Sequence, residues 1–136
     1  MSDRLRLRAQ DADDLKVISA LLQDALLPLA DMTYIREERR FVMAVNRYRW
    51  DQPAEPSRTH ALVSFQQVEA VRARGIDRRR PHHLLAILGI TYGDGCVQIE
   101  CAESGSVRLD VTALDCVLED VGEPWPAAFQ PKHEVD

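Results

Sequence analysis

The chain has 136 residues, 46% of them apolar and 29% charged, and a formal net charge of −5 at pH 7. This composition excludes disordered and fibrous classes, and the length predicts a single domain over residues 1–136 with one hydrophobic core. The longest stretch without a charged side chain covers residues 81–93, which is shorter than the roughly 20 residues of a membrane-spanning helix. We therefore expect no membrane span.

The N-terminal residues alternate charge with leucine and contain no apolar run of the kind found in secretory signals. The three cysteines, Cys96, Cys101 and Cys116, have no CxxC spacing and lie in apolar segments. Both features predict a cytoplasmic protein with reduced thiols, no disulfide and no metal site.

The first elements change from the period of a strand to that of a helix. Residues 4–10 alternate arginine with apolar residues, which predicts a half-buried strand. In residues 11–27 the apolar positions recur at steps of three and four, which predicts a helix. Asp11 and Asp14 favour its start, and Pro28 ends it.

Strand patterns return after the helix. Residues 31–35 and 41–50 predict a hairpin with a charged tip, and residues 51–59 predict a loop because they contain two prolines. Residues 60–75 are longer than a typical strand, and the Gln66–Gln67 pair suggests a bulge or bend midway.

The second half of the chain predicts a meander and a second helix. Residues 83–92, 97–102 and 106–111 are strand-like segments separated by turn signals, which favours three antiparallel strands. Thr112 and Asp115 resemble a capping box for a helix over residues 113–121. Residues 123–136 form a proline-rich tail that we expect to dock through Trp125.

These elements predict an α+β fold. It would have a mostly antiparallel sheet of about six or seven strands, with an N-terminal and a C-terminal helix packed on it. A pleckstrin-homology-like barrel, which also closes with a C-terminal helix, is the alternative.

Positive charge is concentrated in one segment of this acidic chain. Residues 1–80 hold 15 Lys and Arg against 12 Asp and Glu, whereas residues 81–136 hold 2 against 10. Residues 72–83 contain seven candidate residues for binding an anion or a partner: Arg72, Arg74, Arg78, Arg79, Arg80, His82 and His83. Such segregation predicts oriented attraction to a complementary surface.

Several groups could offset the repulsion within this segment. The carboxylates of the same chain are one source: Asp110, Asp115, Glu119, Asp120 and Glu123. An acidic protein surface or a phosphorylated ligand is the other, and self-association between basic and acidic regions is a further alternative. The hypothesis that we carry forward is a non-catalytic binding or adaptor domain that uses the arginine-rich loop.

A nucleic-acid interface is a weaker hypothesis. Arg47, Tyr48, Arg49 and Trp50 interleave charge with aromatic rings at strand period, as in a platform on which bases stack. However, no familiar RNA-binding or zinc-finger motif is present, and the isoelectric point near 5.3 is opposite to the usual one for such proteins.

Catalytic and metal-binding motifs are also missing from the sequence, so we expect no catalytic residues, no metal and no cofactor. The alternative to a binding domain is a small enzyme or ligand-binding protein with a pocket between the N-terminal helix and the sheet, in which His60 could act as a base. Trp125 is a further candidate anchor for a partner.

Four segments of the chain resemble those of an uncharacterised alphaproteobacterial family, domain-of-unknown-function family 2948. They are "DADDLKVISALLQDA", "LADMTYIREERRFVMAVNRYRW", "VRARGIDRRRP" and "LEDVGEPW". The resemblance covers residues 5–125 and implies a single-domain cytoplasmic protein. It assigns no activity and no site residues.

Overall fold

The computed structural model describes residues 4–127. One α-helix, α1, and ten strands cover most of this range. They are β1 (Arg6–Ala9), α1 (Ala12–Leu21), β2 (Leu26–Pro28), β3 (Met32–Ile35), β4 (Arg40–Tyr48), β5 (Ser57–Phe65), β6 (Val68–Arg74), β7 (Leu84–Gly93), β8 (Cys96–Cys101), β9 (Ser106–Val111) and β10 (Cys116–Pro126). Among the described residues, no helix is long and apolar enough to cross a membrane.

All strand pairs are antiparallel, and they form two groups around one core. One group has the order β1-β10-β5-β4, with β3 on β4, and the other has the order β7-β8-β9-β6. The short strand β2 joins them because Leu26 pairs with both Asn46 of β4 and Ala86 of β7. Phe41, Phe65 and other buried apolar side chains from both groups form a single hydrophobic cluster.

The N-terminal helix is confirmed, and it begins as its sequence predicts. The Asp11 side chain accepts a hydrogen bond from the Asp14 backbone N–H at 2.8 Å, which caps the first turn. Leu15 and Ile18 are buried in the core. The helix ends at Leu21, earlier than the expected end at Pro28, because Leu26–Pro28 pairs as β2 between two longer strands.

The predicted α+β class is wrong, because the expected C-terminal helix is the strand β10. This strand pairs with β1 on one side and β5 on the other, and its alternate residues Cys116, Leu118 and Asp120 are buried. Two flanking strands satisfy its backbone groups, which outweighs the helical spacing of its apolar residues. The pleckstrin-homology-like alternative is wrong for the same reason.

The number of strands was also underestimated. Residues 60–75 were expected to form one bent strand, but they divide into the end of β5 and β6. Gln67 lies between them with a φ of 57°, in the left-handed region, and turns the chain out of the first group. β5 pairs with β10 and β4, whereas β6 pairs with β9 in the second group. The expected meander of β7, β8 and β9 is confirmed.

Candidate binding surface

The loop between β6 and β7, residues 75–83, holds most of the concentrated positive charge. It leaves β6 at Gly75, whose φ is 71°, and a Cβ atom there would lie 2.6 Å from the backbone oxygen of Ser104. The next residue, Ile76, packs partly buried against the core. Glycine is therefore required at the point where the loop begins.

Backbone hydrogen bonds hold the other end of the loop. The N–H groups of Leu29 and Ala30 donate to the carbonyl oxygens of His83 and Pro81, each at 3.0 Å. Within the loop, the Asp77 side chain accepts from the Arg79 backbone N–H at 3.0 Å. The loop is thus fixed to the segment that precedes β3, and its arginines project from an anchored backbone.

The seven predicted binding residues lie in two neighbouring places. Arg72 and Arg74 are exposed on β6, while Arg78, Arg79, Arg80 and His82 are exposed on the loop. His83 is half-buried, and its Nε2 lies 3.7 Å from a carboxylate oxygen of Glu103.

Few of these arginines meet a carboxylate. The Arg79 side chain pairs with Asp77 at 3.0 Å, and its hydrogen bonds lower the pKa of that carboxyl. Among residues 4–127, Arg72, Arg74, Arg78 and Arg80 have no carboxylate oxygen within 4.0 Å, although Arg72 acts on Asp110 and Arg80 acts on Asp77 at longer range. Most of the guanidinium groups therefore keep their hydrogen-bond donors available.

The five acidic residues that were expected to offset the loop are engaged elsewhere. Four of them pair with arginines of β1, β4 or β9, and the fifth pairs with Arg4. The pairs are Asp110 with Arg108, Asp115 with Arg8, Glu119 with Arg6, Asp120 with Arg47, and Glu123 with Arg4. Within the described part of the chain, these five carboxylates thus do not neutralise the arginines of the loop.

A groove on β6, β9 and β8 adds an arginine that the sequence pattern did not indicate. Arg108 of β9 lies directly opposite Arg72 of β6, and both line this groove with Arg74. Like charges at opposite positions destabilise a strand pair. Asp110, bound to Arg108 Nε at 3.0 Å, offsets part of this repulsion. Cross-strand register, which the sequence does not display, brings these residues together.

A cleft of about 500 Å³ lies between the loop and β3. Its apolar lining includes Met32, Phe41 and Val71, and its charged lining residues are Arg36 and Arg78. Arg36, which follows β3, was interpreted only as part of a charged hairpin tip. We call Arg36, Arg72, Arg74, Arg78, Arg79, Arg80 and Arg108 the basic surface.

Two of the four residues of the expected stacking platform, Arg47 and Tyr48, are buried, and Arg49 and Trp50 are half-buried. Arg47 is 0% exposed, and its Nε and Nη2 atoms donate to the two carboxylate oxygens of Asp120, each at 2.7 Å. Nη1 donates to Asp51 at 3.0 Å. Burial lowers the pKa of Arg47, but its bonds to these two carboxylates outweigh burial and raise the pKa overall. Arg47 is a structural residue of the core.

The neighbouring aromatic residues also have structural partners. Tyr48 is buried, and its ring lies 4.6 Å from that of Trp50, whose Nε1 donates to the backbone oxygen of Gln23 at 2.9 Å. Stacking of bases would require these rings to be released from the protein. The geometry therefore gives the nucleic-acid hypothesis no support.

Trp125 lies in β10 and is half-buried, with its ring 4.7 Å from that of His60. His60, with Leu62 and Leu84, lines a separate apolar groove of about 270 Å³ on the outside of β4 and β5. The part of the proposed tail beyond Ala127 lies outside the described residues. His60 does not line the groove between α1 and β7, which is lined by Lys16, Ser19 and Leu88 among others.

All three cysteines lie in the described part of the chain, and Cys101 and Cys116 are buried. No group of three or more His, Cys, Asp or Glu residues there could hold a metal ion. Burial raises the pKa of Cys101 to about 11 and that of Cys116 to about 12. Both groups are therefore thiols rather than nucleophilic thiolates at neutral pH.

Comparisons with known proteins give one match. A family model described as "Protein of unknown function (DUF2948)" matches residues 5–133. The searches of curated proteins and of solved structures found no match. The comparisons thus assign a family but no activity.

Proposed function

We propose that this chain has a non-catalytic binding function, in which the basic surface engages an acidic protein partner. The chain belongs to the family described as protein of unknown function (DUF2948). One observation carries the proposal. Five carboxylates of the C-terminal third are paired with other arginines, whereas Arg72, Arg74, Arg78 and Arg80 lack a carboxylate oxygen within 4.0 Å among residues 4–127.

An acidic protein fits this surface better than a copy of the same chain. Self-association through Asp115, Glu119 and Asp120 would require these residues to exchange their present arginine partners for those of a second molecule. The pair with Asp120 is buried and bidentate, and breaking it would cost several kcal/mol. A separate partner with unpaired carboxylates carries no such cost.

We place this encounter in the cytoplasm. All three cysteines are unpaired thiols, and Cys101 and Cys116 are buried. Unpaired thiols are typical of proteins that work in a reducing compartment.

The experiment reverses the charge of the loop in the complete chain. Arg78, Arg79 and Arg80 are changed together to glutamate, and partners are captured from a lysate of the native cells at two salt concentrations. We expect the wild type to capture an acidic protein with a yield that falls as salt is raised, and the variant to lose it. The free energy of unfolding should change by no more than about 1.5 kcal/mol for the three substitutions together, because these side chains are exposed.

A matched variant controls for net charge. Arg4, Arg6 and Lys16 are exposed and lie outside the basic surface, so their reversal to glutamate changes the net charge equally but should leave capture intact. Capture that survives reversal of the loop would contradict the proposal. A captured species that is lost on phosphatase treatment would identify a phosphorylated ligand instead of an acidic protein.

A further inference from the structure

The cleft beside the loop runs along the open edge of β3. Three consecutive residues of this strand, Met32, Thr33 and Tyr34, border it. Successive side chains of a strand point to opposite faces, so a cleft that touches three in a row follows the strand's edge rather than covering one face. The backbone of β3 is therefore within reach of anything that occupies the cleft.

That edge has no partner strand in the described part of the chain. β3 pairs with β4 on one side, from Met32 opposite Met43 to Ile35 opposite Arg40. On the far side of the cleft, Val71 belongs to β6, which is the terminal strand of its group. Unpaired backbone groups on such edges are templates for the addition of another strand.

The lining of the cleft selects the chemistry of an added strand. Met32, Phe41 and Val71 offer an apolar surface for one inserted side chain. Arg36 follows the end of β3 directly, and Arg78 reaches the cleft from the loop. Neither arginine has a carboxylate oxygen within 4.0 Å among residues 4–127. Charge complementarity therefore favours carboxylates on both sides of an apolar residue.

We infer that the acidic partner contributes an extended segment that adds to β3 as a further strand, with an apolar side chain in the cleft and acidic side chains on Arg36 and Arg78. This inference rests on the proposed function and specifies the contact that it makes. The four residues of β3 allow an added strand of about 13 Å, which corresponds to roughly four residues. Backbone hydrogen bonds would supply affinity, and the cleft would supply specificity.

The test begins with a selection from a random library of nine-residue peptides displayed on phage, using the complete protein as bait. We expect recovered sequences to share one large apolar residue flanked by aspartate or glutamate. Recovery of basic or uncharged sequences, or no enrichment at all, would overturn the inference.

A titration of the best recovered peptide then separates strand addition from simple charge attraction. Methylating alternate backbone nitrogens keeps every side chain but removes the donors needed for pairing, so affinity should fall about tenfold or more. Arg36→Glu and Val71→Glu in the protein should each weaken binding by a similar factor. Lys16→Glu, a reversal on the exposed surface of α1, should change it less than about twofold.

The outcomes distinguish the two proposals. If acidic peptides lose binding on reversal of Arg78, Arg79 and Arg80 but tolerate backbone methylation and Arg36→Glu, the basic surface binds acidic partners and strand addition is wrong. If binding also survives reversal of the loop, the proposed function itself is wrong. Because methylation alters only the peptide, this test does not depend on how well Val71→Glu folds.

Discussion

The buried Arg47 and the loop arginines Arg78 and Arg80 differ in what surrounds them. Arg47 is enclosed in the core between Asp120 and Asp51, and it makes hydrogen bonds with every nitrogen of its guanidinium group. Arg78 and Arg80 stand on an exposed loop, and neither guanidinium group has a carboxylate oxygen within 4.0 Å in the described structure. The same side chain therefore stabilises the fold in one place and remains available for binding in the other, according to burial and partners.

Among substitutions that test this contrast, we expect the largest change in the free energy of unfolding at Asp120. Asp120→Ala removes the bidentate partner of the fully buried Arg47 and should lower the free energy of unfolding by about 3 kcal/mol, measured by urea denaturation. Glu119→Gln is the control, because its pair with Arg6 is exposed and should contribute less than about 1 kcal/mol. Equal effects of the two changes would contradict a special role for the buried pair.

A smaller effect is expected where the basic loop begins. Gly75→Ala places a methyl group against the backbone oxygen of Ser104 at a positive φ, and it should destabilise the protein by about 2 kcal/mol in thermal or chemical unfolding. Gly93→Ala is matched to it, because a Cβ there would meet nothing within 4 Å. If both variants unfold alike, the loop does not depend on the geometry at Gly75.

The smallest effect is expected at Asp51 and should depend on pH. Burial raises the pKa of this carboxyl, but the bonds and charge of Arg47 outweigh burial and lower the pKa below its ordinary value. Because the pKa of Asp51 is lower in the folded than in the unfolded chain, its contribution to the free energy of unfolding is complete above the unfolded-state pKa of about 3.9. This contribution disappears as the pH falls through the folded-state pKa. Asp51→Asn should therefore cost about 1 kcal/mol at pH 7 and progressively less below about pH 4.

Urea denaturation of both proteins across this pH range checks the prediction at Asp51. Asp13→Asn on α1 is the control, because its contact with Lys16 is exposed and its effect should be small at every pH. A difference between wild type and Asp51→Asn that stays constant down to pH 3 would show that the charge of Asp51 is not what stabilises the pair.

Local sequence patterns predicted some secondary-structure elements correctly and others wrongly. The start of α1 depends on Asp11 and Asp14, which are three residues apart, so the sequence predicted it correctly. Residues 113–121 have apolar spacing that fits a helix, yet their pairing with β1 and β5 makes most of them part of a strand. The competing interaction comes from segments far away in sequence, and no local pattern reports it.

The basic surface also contains residues that the sequence predicted and residues that it did not. Arg78 and its neighbours are adjacent in sequence, so their concentration was visible. Arg36 and Arg108 were missed because the loop packing and the register of β6 with β9 bring them to the same surface. The burial of Arg47 was foreseeable, since Phe41, Met43 and Val45 alternate on the inner face of β4 and the same period includes residue 47.

The amino-acid sequence alone determined the amount of charge, its separation along the chain, the helix start and the alternation of most strands, because these depend on neighbouring residues. The tertiary structure decided which charges cancel. Arg6 meets Glu119 and Arg47 meets Asp120 through strand register and core packing, across more than 70 positions of sequence. Coulomb and hydrogen-bond energies depend on distances in space, so only the folded chain left the loop without those carboxylates.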